Sequence, residues 1–269
     1  MIRAFFVSAI LIGIGLLVYA GWIEPRQLHV REFEVGEGER TVRIALMTDI
    51  HIGGLHVPPD RVETLVERIN AGAPDLILLP GDFINGHTPR AEMKVAQKRA
   101  LSEGVSHFTN LTTPAIATTG NHDGWHNRRA LTRMLNEAGV KVIDNLATQY
   151  EGICIVGIAD DLTDNPSADG FELCGDNAPI VALMHSPDTR NFLPSEIALA
   201  VAGHTHGGQV NLPFIGRRVT ATVCGQPCAY GLIQSNPPLF VSAGVGTSIL
   251  PIRFRAPPEI VMITLHLPE

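Results

Sequence analysis

The chain has 269 residues, 45% of them hydrophobic and 17% charged, with a net charge of −7 at pH 7. That length holds one large domain or two small ones, with ample apolar residues for a core. The acidic balance excludes a nucleic-acid-binding surface: Lys and Arg are nowhere clustered, and Arg128-Arg129 and Arg217-Arg218 are isolated doublets.

From Ala4 to Ile23 no residue is charged, which is long enough for a helix to span a bilayer. Tyr19 and Trp22 lie near the end of this stretch, where interfacial aromatics belong. A single-pass membrane anchor is expected, with a cleaved signal sequence ending at Val18-Tyr19-Ala20 as the alternative. Arg26, Arg31, Arg40 and Arg43 argue for a cytoplasmic domain. Signal anchors this close to the start commonly export the downstream chain, and an extracytoplasmic side is favoured. The expected organisation is an anchor or signal sequence at 1–23, a linker or edge strand at 24–40, and one domain at 41–269.

Short apolar runs then alternate with helical patterns. Val42–Met47 reads as a buried strand, and Asp60 starts a helix through Asn70 with Val62, Leu65, Val66 and Ile69 on one face. Strand Leu76–Leu79 follows, then a helix at Ala91–Leu101, strand Ala115–Ala117, and a helix from Asn127 to Ala138 that Gly139 ends. Strands are predicted at Val140–Ile143 and Ile153–Ile158, then an acidic connection from Asp160 to Asn177. Further strands are expected at Ile180–Met184, Ala198–Ala202, Leu239–Ala243 and Ile260–Leu265. Helices thin out after residue 140, which suggests an α/β fold of two facing, mostly mixed sheets with helices outside.

Five of these strands end in polar motifs: Asp49-Ile50-His51, Gly81-Asp82, Gly120-Asn121-His122-Asp123, His185, and Gly203-His204-Thr205-His206-Gly207-Gly208. Side chains at the carboxyl ends of neighbouring strands converge on one rim of a sheet, where α/β proteins place their sites. Asp49 and His51, two apart, leave the same face of an extended strand end and can reach one ion. Gly81 lets the chain turn sharply beneath Asp82. His122 points away from Asn121 along the chain and is better placed for substrate than for the same ion. His204 and His206 can present imidazoles to two different ions. Two ions about 3.5–4 Å apart need about seven donors with one carboxylate shared. The expected metal ligands are Asp49, His51, Asp82, Asn121, His185, His204 and His206, a set suited to manganese, iron or zinc. The other histidines, His29, His56, His87, His107, His126 and His266, read as surface or structural, with His56 and His126 close enough to the motifs to line the cleft. Four cysteines read as ordinary thiols or at most one bridge, with Cys224 and Cys228 the pair close in sequence.

The ordered set D-x-H, G-D, G-N-H-D, H and G-H-T-H resembles the calcineurin-like metallophosphoesterase superfamily, over nearly everything from Thr41 to Pro268. Gly203 to Gln209, Gly244 to Ser248, and Pro251-Ile-Arg-Phe254 are similar to its membrane-associated bacterial phosphodiesterases. The resemblance implies a four-layer αββα sandwich and two metal ions. Asp49, His51 and His206 would hold one ion, Asn121, His185 and His204 the other, and Asp82 would bridge them. A hydroxide between the ions would attack phosphorus in line. His122 would stabilise charge and protonate the leaving oxygen, and Gly207, Gly208 and Thr247 would shape the leaving-group side. Many relatives carry an aspartate where this chain has Asn85, which is expected to tune substrate or metal. The implied activity is a phosphodiesterase or pyrophosphohydrolase, on the nucleotide-lipid UDP-2,3-diacylglucosamine or another envelope substrate. The alternatives are a phosphomonoesterase for phosphate scavenging and a non-catalytic scaffold.

Overall fold

Each buried run closes into a strand whose alternate residues face two different layers. The structure is a computed structural model that describes residues 2–86, 92–176 and 178–268. Strands β1 (His29–Gly36), β2 (Arg40–Leu46), β3 (Leu76–Pro80), β4 (Ala115–Thr118) and β5 (Val140–Val142) join β14 (Glu259–Leu267) in one sheet ordered β1-β14-β2-β3-β4-β5. The second sheet runs β12-β13-β9-β8-β7-β6. It is built from β6 (Ala147–Tyr150), β7 (Ile153–Ile158), β8 (Ile180–Met184), β9 (Leu199–Ala202), β12 (Gly231–Ile233) and β13 (Leu239–Val241). Between β9 and β12 in sequence lies a small hairpin, β10 (Asn211–Leu212) and β11 (Gly216–Arg217). The central strands of both sheets are parallel, so their carboxyl ends share a rim.

Period two assigns the faces. Ile44, Leu46, Leu76, Leu78 and Ile116 meet Ile155, Val181, Leu183 and Val201 between the sheets. Ala45, Met47, Ile77 and Leu79 face outward onto α2 (Pro59–Ala71), α3 (Val95–Ser106) and α5 (Arg128–Glu137) through Leu65, Ile69, Val105 and Leu135. Fully burying each large aliphatic contributes about 1.5–3 kcal/mol. The expected fold of two facing mixed sheets flanked by helices is present. On the second sheet the outer layer is formed by short 3₁₀ helices, Asp169–Leu173 and Pro187–Phe192.

Several boundaries differ from expectation. The second helix begins at Val95, where the Gln97 side chain accepts from the Lys94 N–H, and it runs on to Ser106; Ala91 lies outside the described residues. A short helix, α4 (Asn121–His126), grows straight out of the Gly120 turn and carries no apolar period that could reveal it. Of the two readings of residues 24–40, the edge strand is the one found: β1 lies at the edge of its sheet, parallel to β14 along its whole length.

The apolar amino-terminal helix, α1 (Ile2–Val18), continues through a looser π turn, Tyr19–Ile23, and a tighter 3₁₀ turn, Glu24–Arg26. Residues Arg3–Arg26 are long and apolar enough to cross a membrane, as a signal sequence also is. Its end is joined to the domain: the Arg253 N–H donates to Ala20 O at 2.9 Å, and the buried Glu24 carboxylate accepts from the Ala256 N–H at 2.7 Å.

Two disulfides are present, Cys154–Cys174 and Cys224–Cys228, where at most one was expected. The connection after β7 folds back over that strand's outer face, so Cys174 meets Cys154 with 5.7 Å between Cα atoms. The sequence separation of 20 conceals that pairing. Replacing both Cys154 and Cys174 with serine should cost about 3 kcal/mol by loop entropy, read as a lower denaturant midpoint. An unchanged midpoint would show that the bridge constrains nothing.

Candidate metal centre

The strand ends turn out of the sheets through strained backbone. Asp49, His51, Asp82, His204 and His206 all adopt left-handed conformations, with φ of 50°, 49°, 57°, 69° and 50°. Each such non-glycine residue costs on the order of 1 kcal/mol and persists only where its surroundings enforce it. Here the loops are laced together. The Asp49 N–H donates to Gly81 O, the His51 N–H to Asp82 O, the Gly203 N–H to His185 O and the Gly246 N–H to Asp49 O. Asp49 and His51 therefore converge through two left-handed turns, and not by leaving one face of an extended strand. Gly120 lies directly against the Asp82 carboxylate, and a Cβ there would overlap it.

All eight expected site residues gather at this rim. His185 Nε2 is 3.3 Å from Asp82 Oδ2, 3.1 Å from Asn121 Oδ1 and 3.1 Å from His204 Nδ1. His51 Nε2 is 3.1 Å from His206 Nε2 and 3.7 Å from Asp82 Oδ2, and Asp49 Oδ1 is 3.5 Å from His206 Nε2. Two groups result, Asp49-His51-His206 and Asp82-His185-His204, and Asp82 also belongs with His51 and His122. His122 Nε2 stands 3.9 Å from Asp82 Oδ2, and its ring lies edge-on to His51.

The donor chemistry fits cations. His185 Nδ1 is 2.7 Å from Pro80 O and His51 Nδ1 is 3.1 Å from Ile84 O. A carbonyl accepts only an N–H, so each ring carries its proton there and turns a lone pair inward at Nε2. Those lone pairs face carboxylate and amide oxygens at distances where acceptors repel, and a cation between them reconciles the set. The electrostatics carry the same demand. Burial pushes the Asp49 carboxyl up to about 7. Burial also works to raise Asp82, but positive charge placed among the His185, His122 and His51 rings more than offsets it and holds Asp82 well below the usual carboxylate range; a cation held there supplies that charge and leaves the His51 and His185 rings neutral.

Two further residues shape the site; the sequence placed both within motifs but gave neither a role. Asp123 accepts from four backbone donors, the N–H groups of Asp82, Phe83, Ile84 and Gly120, at 2.9–3.0 Å. It clamps the Gly81-Asp82 turn to the Gly120-Asn121 turn. Its position as the third residue of a helix opened by glycine was the available signal. Arg253 is fully buried and donates to the carbonyls of Ala243, Gly244, Gly246 and Ala256. It thereby fixes the turn that supports Asp49. The Pro251-Ile-Arg-Phe254 motif marked the segment, but nothing local shows that Arg253 is buried against carbonyls.

The Asn85 side chain lies beside Gly54, which also packs against the His51 carbonyl. His56 is buried against Pro251 O, and His87 lies outside the described residues. A cleft of about 760 Å³ opens above the cluster, with Asp82, Asn121, His122, His204 and His206 at its floor and Gly208 on its wall.

A family model described as calcineurin-like phosphoesterase matches residues 42–208, which contain all eight of these residues. The chain belongs to that family. This phosphoesterase is 28% identical over 264 residues to the uncharacterized metallophosphoesterase YkuE of Bacillus subtilis, covering 92% of this chain and 88% of that one. It is 27% identical over 271 residues to the phosphodiesterase YaeI of Escherichia coli, covering 94% and 93%. An uncharacterized metallophosphoesterase of Helicobacter pylori is 26% identical, over 84% of this chain and 60% of its own length. The solved 5'-nucleotidase precursor of Thermus thermophilus aligns distantly, at 16% identity and a TM-score of 0.48 over 85% of this chain and 55% of that one. The phosphoesterase is a hydrolase acting on phosphate esters, with His and Asp clusters suited to metal.

Proposed function

We propose that this phosphoesterase is a two-metal phosphodiesterase of the cell envelope. The observation that carries the reading is the pair of ligand groups meeting at one shared carboxylate, Asp82. Asp49, His51, His206 and Asp82 would hold one ion; Asn121, His185, His204 and Asp82 would hold the other. Oxygen and imidazole donors suit manganese, iron or zinc. The chemistry such a pair supplies is activation of water and neutralisation of a phosphate that would otherwise repel it. The inward lone pairs of His51 and His185 are oriented by the carbonyls of Ile84 and Pro80. His122, at the cleft floor between Asp82 and Trp125, holds the proton delivered to the leaving oxygen.

The name of the E. coli relative, phosphodiesterase, supports a diester substrate. The two disulfides support an extracytoplasmic domain, because such bonds persist in oxidising compartments. On that side an envelope phosphodiester is the preferred substrate. UDP-2,3-diacylglucosamine would require the domain to face the cytoplasm, where UDP-sugars reside. Reporter fusions at the carboxyl terminus decide between the sides, and a cytoplasmic result restores the nucleotide-lipid reading.

Purified protein loaded with manganese should hydrolyse a generic aryl phosphodiester faster than the corresponding monoester. The reverse preference would favour phosphate scavenging. His122→Ala should retain bound metal and lose about 10²–10⁴-fold in turnover, the usual contribution of a positioned acid. A folded, metal-loaded sample without turnover on any phosphoester would leave a scaffold as the better reading.

A further inference from the structure

The hairpin β10–β11 turns through Leu212-Pro213-Phe214-Ile215, an apolar sequence where exposed turns usually carry Gly, Asn or Asp. Phe214 is fully exposed and sits in a left-handed conformation, φ 63°, which a bulky residue rarely adopts. Val219 and, on a neighbouring turn, Ile249 and Leu250 are also well exposed. Leu212, Val219, Ile249 and Leu250 form one wall of the catalytic cleft, so the apolar surface and the mouth of the site are continuous.

This surface is held rigid. Arg217 donates through Nε to Gly207 O and through its N–H to Gln226 Oε1, and Asp188 accepts from Thr222 Oγ1 and the Val223 N–H. The Cys224–Cys228 bridge closes the same segment. Stiffening an exposed apolar tip is wasteful unless something receives it.

The receiving surface is indicated by where the hairpin starts. Its base pairs with Phe254: the Asn211 N–H donates to Phe254 O, and the Phe254 N–H to Gln209 O. Phe254 in turn meets Tyr19 ring to ring at the end of the apolar helix, next to the bond from the Arg253 N–H to Ala20 O. Ile252 lines the cleft and also faces Gly21. The hairpin therefore springs from the junction at which a membrane-spanning helix would leave the bilayer. The same junction carries cations. Arg26 stacks on Trp22, and a cavity of about 690 Å³ is lined by Arg26, Arg61 and Arg68, with Asp60 as the carboxylate among its lining residues. Apolar side chains flanked by arginine are the combination that an anionic lipid interface binds.

We propose that the hairpin tip, with Ile249 and Leu250, inserts into an anionic lipid surface beside the amino-terminal helix and seats the cleft mouth on the headgroup layer. The implied substrate class is a phosphodiester carried on a lipid, with its phosphate at the ligand cluster and its chain along the apolar wall. This rests on reading residues 3–26 as a membrane span and the cleft as a phosphodiesterase site.

The test uses the full chain in vesicles of equimolar phosphatidylethanolamine and phosphatidylglycerol, with and without bromine near the headgroup end of the acyl chains. Phe214→Trp should add blue-shifted emission that brominated lipid reduces by about half, the response of a side chain at the interface. Added emission of a water-exposed indole, unquenched, overturns the proposal. Blue-shifted but unquenched emission also overturns it, since protein such as a second copy of the chain would then cover Phe214. Trp22 in a Trp125→Phe background reports separately on the anchor, and turnover of a soluble aryl phosphodiester by the parent chain reports separately on the catalytic reading. If catalysis is sound, Phe214→Ser should lower the ratio of lipid-borne to soluble phosphodiester turnover about tenfold. A proportional loss on both substrates would count against the membrane contact.

Discussion

Asp82→Ala should strip this phosphoesterase of both ions and lower turnover by at least about 10³-fold, equivalent to about 4 kcal/mol of transition-state stabilisation. The size follows from geometry. The carboxylate stands 3.3 Å from His185 Nε2 and 3.7 Å from His51 Nε2, so it is placed to serve both of the proposed ligand sets. It also accepts the His122 N–H at 2.9 Å, which introduces a structural role. Asp82→Asn separates the two: the amide oxygen can still accept that N–H, but the charge is gone. Elemental analysis of both variants should therefore show metal loss, while the melting temperature of the asparagine form stays near that of the metal-free parent. Parent-level turnover in either variant would refute Asp82 as the bridge.

Asp123→Ala is expected to have the larger effect on stability. The substitution leaves the buried N–H groups of Asp82, Phe83, Ile84 and Gly120 without their acceptor. At about 1–3 kcal/mol for each buried donor stranded, four approach the whole stability of an ordinary domain. A drop in melting temperature of about 10 °C or more is expected, since 1 kcal/mol shifts a chain of this size by about 2–4 °C. Activity should be lost with it, because the two turns that Asp123 joins present Asp82 and Asn121. A variant that melts within about 2 °C of the parent would show that the clamp is not needed.

The sequence revealed most of the features that are local and repeated. Buried parallel strands announce themselves as unbroken Ile, Val and Leu runs, and Ile153–Ile158 and Ile180–Met184 have the bounds their composition suggested. The eight residues that gather at the rim were legible for the same reason, because each motif follows such a run. Long-range pairing was not legible. Cys154 finds Cys174 only once a connection without periodicity folds back, and β10, β11 and β12 are too short to show alternation. Helix α4 was hidden because its six residues, Asn121 to His126, are mostly polar and form no apolar stripe. Pro251-Ile-Arg-Phe254 marked its segment by resemblance, but the role of Arg253 was hidden because burial with carbonyl partners is a property of the folded turn around it.

The bond from the Arg253 N–H to the Ala20 carbonyl bears on how this chain could be processed. A signal peptidase cutting after Ala20 would carry that acceptor away with the leader. It would leave a new amino terminus at Gly21, close ahead of the buried Glu24, whose carboxylate accepts from the Ala256 N–H. The scissile bond would have to be drawn out of a docked surface before a protease could reach it. Maturation after folding thus carries a penalty at this junction that a leader joined through a loose tether would not meet.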